Sequence, residues 1–190
     1  MANILLAVTG SISAYKAADI TSQLTKEGHQ VKVLMTPAAT AFITPLTLQS
    51  LSKQSVLVDL MAEETPDQIQ HIDLGKQADL FLVAPASANT IAKLAHGFAD
   101  NIVTSTALAL PTNVKKILAP AMNTKMLDHP ATQRNLKLLQ DYGYQIIQPR
   151  YATLACGDQG AGALLACGDQ GAGALATIEI ILTTIQESLT

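Results

Sequence analysis

The sequence predicts an α/β protein: a single domain built on a doubly wound parallel sheet with helices on both faces. Three observations carry that prediction. Several short segments, among them residues 3–8 (NILLAV) and 80–84 (LFLVA), are unbroken apolar runs, as strands buried on both faces read. These runs alternate with segments whose apolar residues recur at helical spacing, the order expected when each strand is followed by a crossover helix. The 190 residues are 48% hydrophobic and 14% charged, enough for one sizeable core and cramped for two.

The first run, residues 3–8, ends in Thr9-Gly10-Ser11, and Ala17, Ile20 and Leu24 then follow on one helical face. This is strand, tight turn, helix. Residues 30–35 (QVKVLM), 80–84, 116–119 (KILA) and 144–148 (YQIIQ) repeat the strand pattern. Helical stretches lie near residues 45–52, 88–95, 101–110 and 130–142. In the closing segment, 176–189, Ile178, Ile181, Leu182, Ile185 and Leu189 form one stripe and predict a final helix. The arrangement is Rossmann-like, of the flavodoxin-like kind.

Between the fifth run and the last helix lies the longest region without a regular period, residues 149–175. It contains an eleven-residue tandem repeat, LACGDQGAGAL, at 154–164 and again at 165–175 without one difference. Each copy carries one of the two cysteines of the chain, Cys156 and Cys167. Long aperiodic loops in compact domains are usually functional lids or disordered, and residues 150–175 are expected to form a mobile active-site lid with a thiol on it. Either copy alone would make an uninterrupted loop.

Composition narrows the function. A net charge of -3 with four Tyr, three Phe and no Trp gives neither the basic footprint nor the stacking surface of a nucleic-acid binder. No apolar run reaches the roughly 18 residues needed to cross a bilayer, and MANILLAVTG lacks the basic start of a signal peptide. A cytoplasmic protein without membrane or nucleic-acid partners is therefore expected, its low charge suiting burial against other subunits. Two cysteines without CxxC or a Cys/His cluster predict no metal site and a free thiol.

In a doubly wound sheet the ligand crevice lies at the carboxyl ends of the strands, so the loops after strands are read next. Gly10-Ser11-Ile12-Ser13 opens the first helix, where backbone N–H groups and the helix dipole favour an anion. GxGxxG is absent, and the second strand ends in Met35-Thr36-Pro37 where a dinucleotide site would place an acid. A neutral hydroxyl at Thr36 suits a mononucleotide phosphate and points to FMN rather than NAD. There is no GxxxxGK[ST]. Pro85-Ala86-Ser87-Ala88-Asn89-Thr90 and Pro120-Ala121-Met122-Asn123-Thr124-Lys125-Met126 follow later strands and bring amides and hydroxyls to the same edge. Either alone could be a helix cap; in this order they are far more specific.

With TGSISAYKA, His71 in HIDL, PASANT, GFADN, PAMNTKM, HPATQRN and ACGDQGAG, nearly the whole chain resembles the flavin-containing cysteine decarboxylases. The resemblance implies FMN as cofactor, lined by Gly10, Ser11, Ile12, Thr36, Ser87, Ala88, Asn89, Thr90 and Ala121. It implies that Asn123 holds the substrate carboxylate, with Thr153 and Ala155 also contacting substrate. His71 would act near the reacting thiol, and Cys156 or Cys167 would donate a proton, Cys156 lying at the shorter distance from PAMN that the family has. The activity implied is decarboxylation of 4'-phosphopantothenoylcysteine to 4'-phosphopantetheine in coenzyme A biosynthesis. The family forms homo-oligomers, trimers or dodecamers, with FMN at subunit contacts, and a chain ending at Thr190 implies a separate phosphopantothenate-cysteine ligase.

Two features depart from the family. Leu127 stands where Trp is frequent, and Ala163 and Ala174 stand where the glycine loop often continues with a basic residue. Substrate phosphate would then be met by Lys76, Lys125 or a neighbouring subunit.

The chemistry explains the parts. An amino-acid carboxylate does not leave readily as CO2, because the carbanion left behind has no delocalisation. Oxidation of the substrate thiol to a thioaldehyde places C=S beta to the carboxylate, and loss of CO2 then gives an enethiolate. Returning to a saturated thiol needs a proton at carbon, which a cysteine on a closing loop can supply while water is excluded. Among the histidines, His71 is the best candidate base. His29 lies in a polar turn and is expected in solvent, His96 ends a helical stretch, and His129 precedes Pro130 at a helix start where capping is the plainer role. Asn89 and Asn123 suit their roles because an amide donates without adding charge.

Three other readings share some of these features. A peptidyl-cysteine decarboxylase is disfavoured by the loop cysteine. A flavin prenyltransferase would not carry PxMNxxM with ACGDQG. A non-catalytic FMN-binding regulatory subunit commonly loses a catalytic residue or gains an acidic tail, and this chain has neither feature.

Overall fold

The computed structural model describes residues 1–62, 69–153 and 170–190. Five strands form a parallel sheet: β1 (Asn3–Val8), β2 (Gln30–Met35), β3 (Leu80–Ala86), β4 (Lys115–Pro120) and β5 (Tyr144–Ile146). Their spatial order is β2-β1-β3-β4-β5. This is the flavodoxin-like order, with the chain direction of travel reversing between β1 and β3.

The apolar runs are continuous because both faces of the sheet are covered. Ile4, Leu6 and Val8 of β1 pack on one side, with Leu80, Leu82 and Ile117. Helices α1 (Ala17–Lys26), α2 (Pro45–Ser52) and α8 (Ile178–Leu189) cover that side through Ile20, Leu24, Leu48, Ile181 and Ile185. Leu5, Ala7, Phe81, Val83 and Leu118 face the other way. There they meet α4 (Ala88–Ala95), α5 (Ile102–Leu108) and α7 (Pro130–Asp141) through Ile91, Leu94, Val103, Leu136 and Leu139. Burying large apolar side chains of this kind stabilises by about 1.5–3 kcal/mol each, so the two layers account for the fold without special contacts.

Sequence periodicity misses α3 (Gln70–Gln77, QHIDLGKQ), a short polar helix that keeps only Gly75 buried. A Cβ at Gly75 would make a tight contact there, 3.3 Å from the carbonyl oxygen of Ala109. The short α6 (Thr124–Asp128) precedes α7. The ends of the aperiodic region are also ordered. β6 (Arg150–Thr153) and β7 (Gln170–Ala174) form a two-stranded antiparallel ribbon. The glycines and alanines of β7 (QGAGA) carry little alternation of hydrophobicity, and β6 is only four residues long, so no strand period is legible. The lid expected over 150–175, including Cys156, Cys167 and Ala155, otherwise lies outside the described residues. No helix among the described residues is long and apolar enough to cross a membrane.

Candidate functional site

Four loops at the carboxyl edge of the sheet are stitched to one another by buried hydrogen bonds. The hydroxyl of Thr9, after β1, donates to the Pro85 carbonyl at 2.7 Å and accepts from the Ser87 N–H at 2.9 Å, after β3. The Ser11 hydroxyl donates to the Ala121 carbonyl at 3.2 Å, after β4. The Ala121 N–H reaches back to the Ala86 carbonyl at 3.0 Å, and the Thr36 N–H, after β2, to the Val8 carbonyl at 3.0 Å. These buried polar groups are satisfied only when all the loops are in place, so the edge is preorganised.

The loops enclose an open cleft of about 660 Å³, within the size range of small-molecule and cofactor sites. All nine residues expected to contact FMN line it: Gly10, Ser11, Ile12, Thr36, Ser87, Ala88, Asn89, Thr90 and Ala121. Asn123 lines it as well. Sequence reasoning did not single out Phe42, Lys93, Asp100, Asn101 or Met126, which complete the walls. GFADN was the available signal for Asp100 and Asn101, but nothing in its spacing says that α5 starts against the cleft.

Several features suit a phosphate-bearing planar ligand. The Thr36 hydroxyl oxygen is buried and has no hydrogen-bond partner, a costly arrangement unless a ligand satisfies it. A Cβ at Gly10 would stand 2.7 Å from the Cβ of Ala38, so only glycine lets the β1 and β2 loops approach this closely. α4 begins at the cleft, capped by Ser87, whose oxygen accepts the Thr90 N–H at 3.3 Å. Its first turn therefore presents N–H groups and the positive end of the helix dipole. The side chain of Ser11 also braces the site: its hydroxyl donates to the Ala121 carbonyl and its oxygen accepts the Ser13 N–H at 3.3 Å.

Capping and cleft-lining coincide at Asn123. Its Oδ1 accepts the Lys125 N–H at 2.8 Å, which starts α6 and fixes the amide orientation. The adjoining Met122 N–H donates to the Gly173 carbonyl at 2.9 Å, so the β6–β7 ribbon is docked on the loop that carries Asn123. Gly173 has φ +147°, and a Cβ there would meet the Met122 carbonyl oxygen at 2.3 Å. The stem of the cysteine-bearing region is thereby tied beside the cleft. Thr153 ends β6.

The histidines separate. His71 sits in the first turn of α3 and does not line the cleft. Its Nδ1 is buried without a hydrogen-bond partner. His96 Nε2 lies 3.1 Å from Asn135 Oδ1, and His129 Nδ1 accepts the Ala131 N–H at 3.1 Å as the cap of α7. The expectation that His29 is in solvent is corrected: its side chain keeps 13% exposure and its Nδ1 is buried, because the turn folds it back beside Glu27. Lys76 pairs with Asp73 at 3.3 Å on the surface of α3, outside the cleft, and Lys125 is exposed. Among the described residues no cluster of His, Cys, Asp or Glu is arranged to hold a metal ion.

The sequence profile of the family described as Flavoprotein matches residues 1–190. The probable phosphopantothenoylcysteine decarboxylase of Streptococcus mutans is 66% identical over 161 residues, covering 85% of this chain and 90% of that protein. A PPC decarboxylase with a cysteine-to-serine mutation, complexed with pantothenoylaminoethenethiol, superposes with a TM-score of 0.82 at 31% identity, covering 98% of this chain and 97% of that one. The FMN binding protein AtHal3 superposes with a TM-score of 0.78 at 31% identity, covering 98% and 95%.

Proposed function

The chain belongs to the flavoprotein family, and from that membership and the cleft at the carboxyl edge of its sheet we infer that it is a phosphopantothenoylcysteine decarboxylase. It uses FMN to convert 4'-phosphopantothenoylcysteine to 4'-phosphopantetheine in coenzyme A biosynthesis. One observation carries the reading: nine residues from four separate loops converge on one cleft with an orphaned buried hydroxyl, beside Asn123.

The residues present fit the cofactor. Gly10, Ile12 and the first turn of α4 bring backbone to the cleft, and Thr36 an unsatisfied oxygen, where the β1 and β2 loops close on one another at Gly10. Bound FMN would supply a two-electron sink that oxidises the substrate thiol and later returns the electrons, so that CO2 leaves from the carbon adjacent to C=S.

The chain's own groups do the rest. Asn123 holds the substrate carboxylate by a neutral amide, which orients the bond to be broken without adding charge that would oppose its loss. Cys156 or Cys167, carried between the two strands of a ribbon anchored at Met122, delivers the proton to carbon. The region of residues 150–175 acts as the lid. Thr153 and Ala155 contact the substrate.

His71 handles the thiol proton in a neighbouring subunit's cleft. Its absence from the lining of its own cleft, together with a buried Nδ1 that lacks a partner, supports a site assembled between copies of the chain, a trimer or a set of trimers. The protein works in the cytoplasm, and the substrate is supplied by an amide-forming ligase that joins cysteine to phosphopantothenate.

The test is a flavin spectrum of the purified protein and CO2 release from phosphopantothenoylcysteine by the wild type, Cys156→Ser, Cys167→Ser and the double variant. The expected result is a yellow protein whose double variant still releases CO2 but accumulates the unsaturated enethiol. A colourless protein reconstituted by NAD and not by FMN would sink the reading.

A further inference from the structure

Among the described residues lining the cleft there is one cation, Lys93, and one carboxylate, Asp100, and they are paired. Lys93 projects from α4, and Asp100 stands at the foot of α5. The two differ in how they are held. Asp100 Oδ1 also accepts from Asn101 Nδ2 at 2.9 Å and from Thr104 Oγ1 at 3.3 Å. Asn101 in turn caps α5, its Oδ1 accepting the N–H groups of Val103 and Thr104. The carboxylate is thus fixed by neutral donors that would remain if the ammonium swung away.

The side chains keep 25% and 48% of their exposure, and an ion pair this open to water holds its partners weakly. The hydrogen bond from Lys93 keeps the Asp100 carboxyl below the usual carboxylate range. The formal charges of the pair cancel. A flavin mononucleotide brings a phosphate into this cleft, and its ring gains negative charge on reduction. Apart from Lys93, the described lining residues offer such groups only amides, hydroxyls and a helix terminus.

We propose that Lys93 is the counter-charge to an anionic group of bound FMN, with Asp100 setting the position of its ammonium at the cleft wall. The proposal rests on the FMN reading above. The shared chemistry is a negatively charged oxygen on the flavin, and it has two sources, the phosphate ester and the reduced ring. A contact to phosphate stabilises both redox states equally and raises the preference for FMN over riboflavin. A contact to the ring stabilises the reduced state and raises the midpoint potential.

The experiment measures, on the full-length protein, dissociation constants for FMN and riboflavin by flavin fluorescence and the midpoint potential of the bound flavin. Lys93→Gln leaves Asp100 as an uncompensated charge facing the flavin. It is expected either to lower the FMN-over-riboflavin preference by about tenfold, which assigns the phosphate, or to shift the potential to a more negative value, which assigns the ring. Asp100→Asn should move the same quantity in the opposite direction, and Lys93→Arg should restore it. Unchanged preference and potential in a protein that binds FMN would overturn the proposal alone. The same direction of change in Lys93→Gln and Asp100→Asn would also overturn it, since a pair that only ties α4 to α5 behaves that way. Failure of the wild type to bind FMN would instead remove its premise.

Discussion

The buried hydroxyl of Thr9 bridges to the chain around Ser87, accepting the Ser87 N–H at 2.9 Å while donating to the Pro85 carbonyl at 2.7 Å. One side chain thus joins the loops after β1 and β3, the two strands between which the sheet order reverses. Thr9→Val keeps the shape but leaves a buried carbonyl and a partly buried N–H without their partner. It is expected to cost about 1–3 kcal/mol in urea unfolding and to weaken FMN binding, with Thr9→Ser close to wild type in both measurements.

Gly173→Ala tests the docking of the ribbon. The added Cβ would sit 2.3 Å from the Met122 carbonyl oxygen at a φ of +147°, so the contact has to open. Displacement of the ribbon from the Asn123 loop is expected to lower turnover on the order of 10²-fold. FMN affinity should change little, because the Gly10, Thr36 and Ser87 loops are untouched. Steady-state CO2 release and flavin fluorescence separate the two effects.

Because the repeat copies are identical, removing either one yields the same chain. Sixteen residues separate Thr153 from Gln170, and excision of eleven leaves LACGD between the two strands. Five residues are within the ordinary range for closing an antiparallel pair. The shortened protein is expected to turn over within about twofold of the parent and to release saturated thiol. A Cys→Ser change in that background should then accumulate the enethiol, read by mass spectrometry of the product.

A site shared between subunits can be complemented. His71→Ala and Asn123→Asp are each expected to be inactive alone. After mixed refolding, some interfaces pair an intact His71 with an intact Asn123, so CO2 release should return. Continued inactivity of a mixture shown to be co-assembled would place both groups in one subunit's cleft.

Tyr144 gives the alkaline side of the stability profile. Burial pushes its phenol above the usual tyrosine range, so the native state retains a proton that the unfolded chain releases near pH 10. Stability from this group is complete below that pH and falls as pH rises towards the folded value. Tyr144→Phe is expected to flatten the decline above about pH 10 in urea unfolding measured against pH.

The sequence by itself determined the layers. Runs such as NILLAV and LFLVA are legible because a strand covered on both faces needs no polar residue, and α4 and α7 start where Ser87 and His129 accept N–H groups from their first turns. It also determined which loops line the cleft, since Gly10, Thr36, Ser87 and Asn123 all follow strands and the carboxyl edge is where such loops gather. What only the tertiary structure decided depends on contacts between distant segments. Ser11 spends its proton on Ala121, Lys93 meets Asp100 in the cleft wall, and Gly173 carries the ribbon onto Met122. His71 is placed on a polar helix outside the cleft. Short polar helices and glycine-rich strands have too little hydrophobic period to be read locally. Their positions follow from which neighbour satisfies their backbone groups, and that is settled only when the chain has closed on itself.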